Sequence, residues 1–175
     1  MNCQAYVLRQ GYPPVQPGRS NPALARRLFA AYAGQISEMS AVAQYFYNSL
    51  LSALDAGNEL SEAFSCISHT EMHHLDLLGQ MILAYGGDPG LLSYRGDRKI
   101  WWSGDFVHHV KQPARMLAEA IEGEQAAISN YESLLPLIPD PGNQAVIERI
   151  LADEQHHVVL FENLLAQIPM PLRGE

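Results

Sequence analysis

The sequence contains little of the material from which several common kinds of protein site are built. Only two of its 175 residues are cysteines, Cys3 and Cys66, and no Cys-x-x-Cys pair occurs. Neither a disulfide framework nor a cysteine-bound zinc or iron–sulfur centre is therefore expected. No apolar run reaches the roughly 18 residues of a membrane span, and no signal-peptide pattern is present. These features predict a soluble protein of a reducing, cytoplasmic compartment without a membrane partner.

Basic residues are also scarce. The chain has 11 Lys and Arg against 19 Asp and Glu, a formal net charge of −8, and no basic run longer than Arg26–Arg27. A nucleic-acid partner is thus disfavoured, because binding to phosphate relies on clustered positive charge, and cations are the expected guests. The 175 residues are 47% hydrophobic and 17% charged, which indicates one folded domain with a well-filled core.

Proline and glycine positions divide the chain into helices, because proline is tolerated in the first turn of a helix but not in its interior. Four helices are predicted over residues 22–55, 59–85, 113–135 and 141–168. Two short links and one long crossover predict an all-α, antiparallel four-helix bundle. The predicted domain organisation is an extended N-terminal arm, the bundle and a short C-terminal tail, over residues 1–21, 22–168 and 169–175.

Each predicted helix carries ionisable residues in the middle of its apolar seam. Burying four carboxylates at one level of a core is costly without a counter-charge, and no Lys or Arg lies on these seams. Metal ions are the remaining candidates, and a mixed oxygen and nitrogen donor set suits two iron or manganese ions. The predicted metal ligands are Glu38, Glu71, His74, Glu124, Glu154 and His157, of which the four glutamates are also the predicted catalytic residues.

Three segments carry a resemblance to a known family. Residues 38–46, Glu-Met-Ser-Ala-Val-Ala-Gln-Tyr-Phe, resemble the first-helix segment of bacterioferritins, and residues 71–74 and 153–157 match two Glu-x-x-His motifs. The chain resembles the ferritin-like superfamily of dinuclear carboxylate proteins, near bacterioferritins, rubrerythrins and manganese catalases. The resemblance implies two ion positions: one held by Glu38, Glu71 and His74, the other by Glu154 and His157, with Glu71 and the third-helix carboxylate as bridges.

Several assignments stay open at this point. The third predicted helix also offers Glu119 and Glu122; periodicity favours Glu124, with Glu122 as the alternative. Tyr45 is either a hydrogen-bond donor to a ligand or a plain core tyrosine. Asp153 resembles the family's partner of the opposite histidine, whereas the equivalent position on the second predicted helix is Thr70.

The predicted function is that of an oxidoreductase whose two metal ions reduce or disproportionate peroxide, or reduce dioxygen. The alternatives are a ferroxidase, with Fe(II) as substrate, and a metal-stapled structural or coat protein. No rubredoxin-type cysteine module is present, so the electrons must come from elsewhere. Only seven residues follow residue 168, which favours a homodimer or small homo-oligomer over a storage shell. The crossover, with Trp101 and Trp102, either covers an entrance or simply packs over the helices.

Overall fold

The bundle predicted from the sequence is confirmed. The computed structural model describes residues 3–55 and 58–168. Its α-helices and strands are α1 Pro22–Ala33, α2 Glu38–Asp55, α3 Asn58–Ala84, β1 Leu92–Arg95, β2 Arg98–Trp101, α4 Pro113–Leu134 and α5 Pro141–Gln167. Helices α2 to α5 form the bundle, with α2 packed on α3 and α4 on α5. Residues 56–57, in the predicted link between the first and second predicted helices, and the predicted tail at 169–175 lie outside the described residues.

The first predicted helix is in fact two helices. The backbone N–H of Gly34 donates to Ala30 O and ends α1, and a Cβ at Gly34 would lie 2.5 Å from that oxygen. The Ser37 side chain accepts a hydrogen bond from the N–H of Ser40 at 3.3 Å and caps α2. The break makes Glu38 the first residue of α2.

The hydrophobic core is divided by the ionisable residues. One apolar cluster includes Leu28, Leu78 and Ile147, and the other includes Phe64 and Phe161. On both α3 and α5 the Glu-x-x-His motif lies between residues of the two clusters. The motif side chains are consequently enclosed by packed apolar groups on both sides.

The N-terminal arm is fastened to the bundle rather than separate from it. A disulfide joins Cys3 to Cys66 of α3, and Gln16 exchanges hydrogen bonds with the Asn143 side chain of α5, its N–H donating at 2.8 Å. Two cysteines make no framework, but they do form one cross-link. The inference of a reducing compartment from the scarcity of cysteine therefore loses its basis.

The crossover contains an antiparallel hairpin that the sequence analysis missed. Strands β1 and β2 pair with Leu92 opposite Trp101 and Arg95 opposite Arg98. Gly96 supplies the positive φ of +57° that the two-residue turn needs. The Gly-Asp pair at residues 96–97, between two runs of strand-forming residues, was the available signal.

None of the helices within residues 3–55 and 58–168 is long and apolar enough to cross a membrane.

Candidate metal centre

Six ionisable side chains from four helices meet between the two apolar clusters. Helix α2 supplies one glutamate, α3 a Glu and a His one turn apart, α4 one glutamate, and α5 a second Glu–His pair. Each side chain is at most 3% exposed. We call them the six-residue cluster: Glu38, Glu71, His74, Glu124, Glu154 and His157.

The cluster divides into two overlapping groups of possible metal ligands, each with its ligand atoms within 4.8 Å of one another. The first group is Glu38, Glu71, His74 and Glu154; the second is Glu71, Glu124, Glu154 and His157. The residues shared by both groups are Glu71 and Glu154. The family resemblance implied Glu71 and the third-helix carboxylate as bridges; in the structure Glu154 is the second residue common to both groups, and Glu124 belongs to one of them.

Glu71 and Glu154 belong to both groups because α3 and α5 are placed nearly symmetrically. Nδ1 of His74 lies 3.1 Å from Glu71 Oε2 and 3.1 Å from Glu154 Oε1. Nδ1 of His157 lies 2.9 Å from Glu71 Oε1 and 3.3 Å from Glu154 Oε2. Each shared glutamate therefore turns one oxygen towards each histidine, which places the two α3 and α5 carboxylates in the middle.

Burial decides which of the α4 residues Glu119, Glu122 and Glu124 belongs to the cluster. Glu124 is 2% exposed and belongs to the second group, whereas Glu122 is exposed and points away from the cluster. Glu119 is partly exposed and pairs with Arg115 and His108 at the surface. The structure therefore brings Glu124 to the cluster and neither of the other two α4 glutamates that the sequence offered.

Two buried tyrosines donate hydrogen bonds to the outer glutamates. Tyr45 donates to Glu124 Oε1 at 2.6 Å, and Tyr131 donates to Glu38 Oε1. Burial and the neighbouring carboxylates raise the pKa of both phenols well above the ordinary value, so both remain neutral donors. Nothing in the spacing of the sequence indicated the contact of Tyr131 with Glu38.

A second set of buried contacts holds the Nε2 side of the His74 ring, which is opposite the Nδ1 atom that faces Glu71 and Glu154. Asp153 Oδ2 lies 3.0 Å from His74 Nε2, 2.6 Å from Arg149 Nη1, and accepts a hydrogen bond from Tyr12 at 2.5 Å. The guanidinium of Arg149 also donates to the Gln10 carbonyl and lies over the Tyr12 ring. Arg149 does not lie on a seam but directly precedes the buried Ile150, so the seam pattern gave no sign of a buried arginine.

The corresponding support for His157 is weaker. Thr70, at the position on α3 equivalent to Asp153, donates to the Cys66 carbonyl. Nε2 of His157 is buried without a hydrogen-bond partner among the described residues. The asymmetry expected from Asp153 and Thr70 is thus present in the structure.

The charges of the metal-free cluster are strongly coupled. Burial raises the pKa of Glu71 in isolation, but the His157 and His74 rings outweigh it and hold that pKa well below the ordinary value. Burial and the neighbouring glutamates raise the pKa of Glu38 and of Glu124 well above it. The outer glutamates Glu38 and Glu124 therefore favour the protonated form more than a free carboxyl group does, whereas the histidines favour the ionised form of Glu71 and Glu154.

The donor set fits a pair of transition-metal ions. Oε1 of Glu71 and Oε1 of Glu154 are buried and make no hydrogen bond within the described residues, and each faces the Nδ1 of a histidine, at 2.9 and 3.1 Å, so that oxygen and nitrogen donors converge there. Both belong to the shared glutamates. Four carboxylates and two imidazoles at the centre of a helical bundle suit iron or manganese.

A cavity of about 210 Å³ lies between α2, α4 and the crossover. The residues that line it include all four glutamates of the cluster. They do not include the cluster histidines His74 and His157, nor Asp153 or Tyr12. The carboxylate side of the cluster therefore faces open space, and the histidine side is packed.

The family description "Ferritin-like domain" matches residues 35–170, and the chain belongs to the ferritin-like family. Among solved structures, it is similar to the manganese catalase KatB from Anabaena PCC7120, at a TM-score of 0.78 and 22% identity, over 97% of this chain and 87% of that one. No curated protein matches the chain significantly.

Two bacterioferritins are also similar in structure. The Rhodobacter capsulatus protein has a TM-score of 0.68 and 21% identity, over 85% of this chain and 86% of its own. The Mycobacterium tuberculosis bacterioferritin has a TM-score of 0.68 and 21% identity, over 85% of this chain and 87% of its own. At these identities the likeness establishes the fold.

Proposed function

We propose that the protein is a dinuclear metal oxidoreductase that reduces or disproportionates peroxide, or reduces dioxygen, with two iron or manganese ions in the six-residue cluster. The observation that carries this proposal is the pair of overlapping ligand groups, which share Glu71 and Glu154. Sharing two carboxylates brings two ions close enough to act on one small molecule. The likeness to a manganese catalase supports the same class of chemistry.

The chain's own residues would prepare the site in three ways. The glutamates and histidines hold the ions, which when bound supply one-electron redox chemistry and Lewis acidity. Tyr45 and Tyr131 fix the outer carboxylates Glu124 and Glu38 through hydrogen bonds. The cavity gives a small substrate access on the carboxylate side, while the packed apolar clusters keep the other sides dry.

Metal content tests the ligand assignment. The purified protein should carry close to two transition-metal ions per chain. Because Glu71 and Glu154 belong to both groups, Glu71→Ala and Glu154→Ala should each lose both ions. Glu38→Ala and Glu124→Ala should each lose one. Glu122→Ala is the matched control, because it removes an exposed glutamate from the helix that carries Glu124; this variant should keep both ions. Absence of metal from the unmodified protein would refute the proposal.

Redox chemistry separates the proposed activity from ferroxidation. Protein loaded anaerobically with Fe(II) should oxidise two irons per chain faster with hydrogen peroxide than with air, and then stop. Protein loaded with manganese should evolve dioxygen from peroxide without added reductant if it disproportionates peroxide. Continued uptake of Fe(II) far beyond two ions per chain would instead identify a ferroxidase that serves iron storage.

A small homo-oligomer is part of the proposal. Phe46, Leu50 and Leu54 repeat every four residues on α2 and are each more than half exposed. An apolar stripe of this kind suits a contact between two copies of the chain. Light scattering coupled to size-exclusion chromatography should give the mass of a dimer or small assembly.

A further inference from the structure

The cavity above the six-residue cluster is larger than hydrogen peroxide requires. Its volume is about 210 Å³, whereas a water molecule takes about 30 Å³ in the liquid and an apolar protein cavity of about 150 Å³ holds benzene. Two bonded oxygen atoms would leave most of the space empty. The cavity is therefore large enough for a peroxide that carries an organic group.

Away from the carboxylates, one part of the cavity lining is apolar. It comprises Ile36 of the link between α1 and α2, Ala41 of α2, Met116 and Ala120 of α4, and Val110 of the crossover, whereas Gln44, Asn48 and Glu119 give the rest a polar character. The crossover is held there by Gln44, whose side chain donates to the His108 carbonyl at 2.9 Å and accepts from the His108 N–H at 2.6 Å. A guest with an apolar body and one polar end would match these surroundings.

Gly123 is the wall residue that no packing contact explains. It lies inside α4 and lines the cavity directly before Glu124, although glycine inside a helix costs about 0.5–1 kcal/mol relative to alanine. A Cβ at this position would have Tyr45 Oη as its nearest neighbour, at 3.9 Å, which is ordinary contact. The backbone does not require glycine, so the consequence of the missing side chain is free space beside the Tyr45–Glu124 hydrogen bond.

We propose that the centre takes an organic hydroperoxide, R–O–OH, whose apolar R group occupies the cavity beside Gly123 while its peroxide end faces the four glutamates. This inference rests on the proposed function and names its substrate class. In the reaction the O–O bond breaks, and R–O–OH, two electrons and two protons give R–OH and water. The electrons come from the two reduced metal ions, one from each, and the protons come from solvent. Gly123 is then a specificity-determining residue.

Binding of the alcohol product tests the cavity without any turnover. 2-Phenyl-2-propanol, the alcohol formed from cumene hydroperoxide, should bind the metal-loaded protein saturably with a Kd of about 1 mM by calorimetric titration. Gly123→Leu should weaken this binding at least about tenfold, because the new side chain fills the space. Gln125→Leu adds the same side chain at an exposed position of α4 and should change the Kd less than about twofold.

Single-turnover oxidation tests the substrate class. Anaerobic, Fe(II)-loaded protein is mixed with cumene hydroperoxide or with hydrogen peroxide, and iron oxidation is followed by absorbance. Gly123→Leu should slow the reaction with cumene hydroperoxide at least about tenfold more than it slows the reaction with hydrogen peroxide.

The outcomes separate this inference from the proposed function. Absence of saturable alcohol binding, equal binding by Gly123→Leu, or equal slowing of both peroxides overturns the substrate assignment while leaving peroxide reduction intact. If neither peroxide oxidises the loaded iron, the proposed function fails and the substrate assignment fails with it, even where the alcohol binds.

Discussion

Arg149 and Asp153 form a buried ion pair one turn apart on α5, with Nη1 of the arginine 2.6 Å from Oδ2 of the aspartate. The same Oδ2 lies 3.0 Å from Nε2 of His74. Burial raises the pKa of Asp153, but its hydrogen bonds with His74, Arg149 and Tyr12 outweigh this and hold the pKa below the ordinary value. An ionised aspartate is therefore fixed behind one histidine of the cluster, and Arg149 balances its charge.

Replacing Asp153 should weaken metal binding, in addition to the stability lost with its buried pair to Arg149. Asp153→Asn keeps the size of the side chain but removes the anionic acceptor that orients His74. A carboxylate behind a ligating histidine contributes about 10–100-fold to metal affinity. Competition with a chelator should show a loss of that order. The control variant Asp97→Asn, on the exposed turn of the hairpin, should leave the metal affinity unchanged. Equal affinities in the unmodified protein, Asp153→Asn and Asp97→Asn would refute the role of Asp153 in orienting His74.

Removing Arg149 should destabilise the fold. Arg149→Met leaves Asp153 buried without its cation, and breaking a buried pair in this way costs about 3–5 kcal/mol. Urea unfolding of the metal-free protein measures the change. Arg115→Met is the matched control, since its pair with Glu119 is largely exposed and should contribute at most about 1 kcal/mol.

The two ions should leave the centre in sequence. His74 is held by Asp153, whereas Nε2 of His157 has no partner in the described part of the chain. The ion in the group of His157 should therefore be the more weakly bound. Titration of a chelator should remove one ion per chain before the second, and Asp153→Asn should bring the two steps together. A single step of two ions in the unmodified protein would contradict this.

Some site residues can be identified from the pattern within one helix, whereas others can be identified only from contacts between distant parts of the chain. The six cluster residues follow from a helical period, because a seam interrupted by Glu and His is visible within one helix. Which glutamate is common to both ligand groups depends on where side chains from different helices point, and no period encodes that. Tyr12 and Tyr131 reach the cluster across 62 or more residues of sequence, and Tyr12 stands in an arm without any repeat.

The break between α1 and α2 is different, since its signals were present. Gly34 followed by Ser37 is an ordinary pattern for the end of one helix and the cap of the next. The apolar seam continues through the break, however, and this favoured one long helix. The tertiary fold uses the break to set Glu38 at the start of α2.

The metal-free protein should lose stability above neutral pH. Burial lowers the pKa of His157 in isolation, but Glu71 and Glu154 outweigh it and raise that pKa from 6.5 to about 9. A histidine with a raised pKa stabilises the fold fully below its unfolded pKa, and this contribution is lost as the pH rises through the folded pKa. Between pH 6.5 and 9 the loss from His157 alone should be about 3 kcal/mol.

Melting temperatures of chelator-treated protein across this range measure the effect. His74, Glu38 and Glu124 also have raised pKa values, so their contributions change with the same sign. The metal-loaded protein is the control: metal-bound histidines are neutral throughout, and its melting temperature should be nearly constant from pH 6.5 to 9. A metal-free protein with equal stability at both ends of the range would show that imidazolium does not balance the carboxylates.

The disulfide should stabilise both the fold and the contacts behind His74. Cys3 and Cys66 are separated by 63 residues of sequence, and closing a loop of this length restricts the unfolded chain by about 4 kcal/mol on the chain-entropy account. Cys3→Ser should therefore lower the free energy of unfolding by up to that amount. The arm that Cys3 anchors also carries Tyr12, which donates to Asp153, so the same variant should bind metal more weakly. Treatment with reductant should reproduce both effects in the unmodified protein and add nothing to Cys3→Ser; equal stability of the oxidised and reduced protein would show that the arm is held by its other contacts alone.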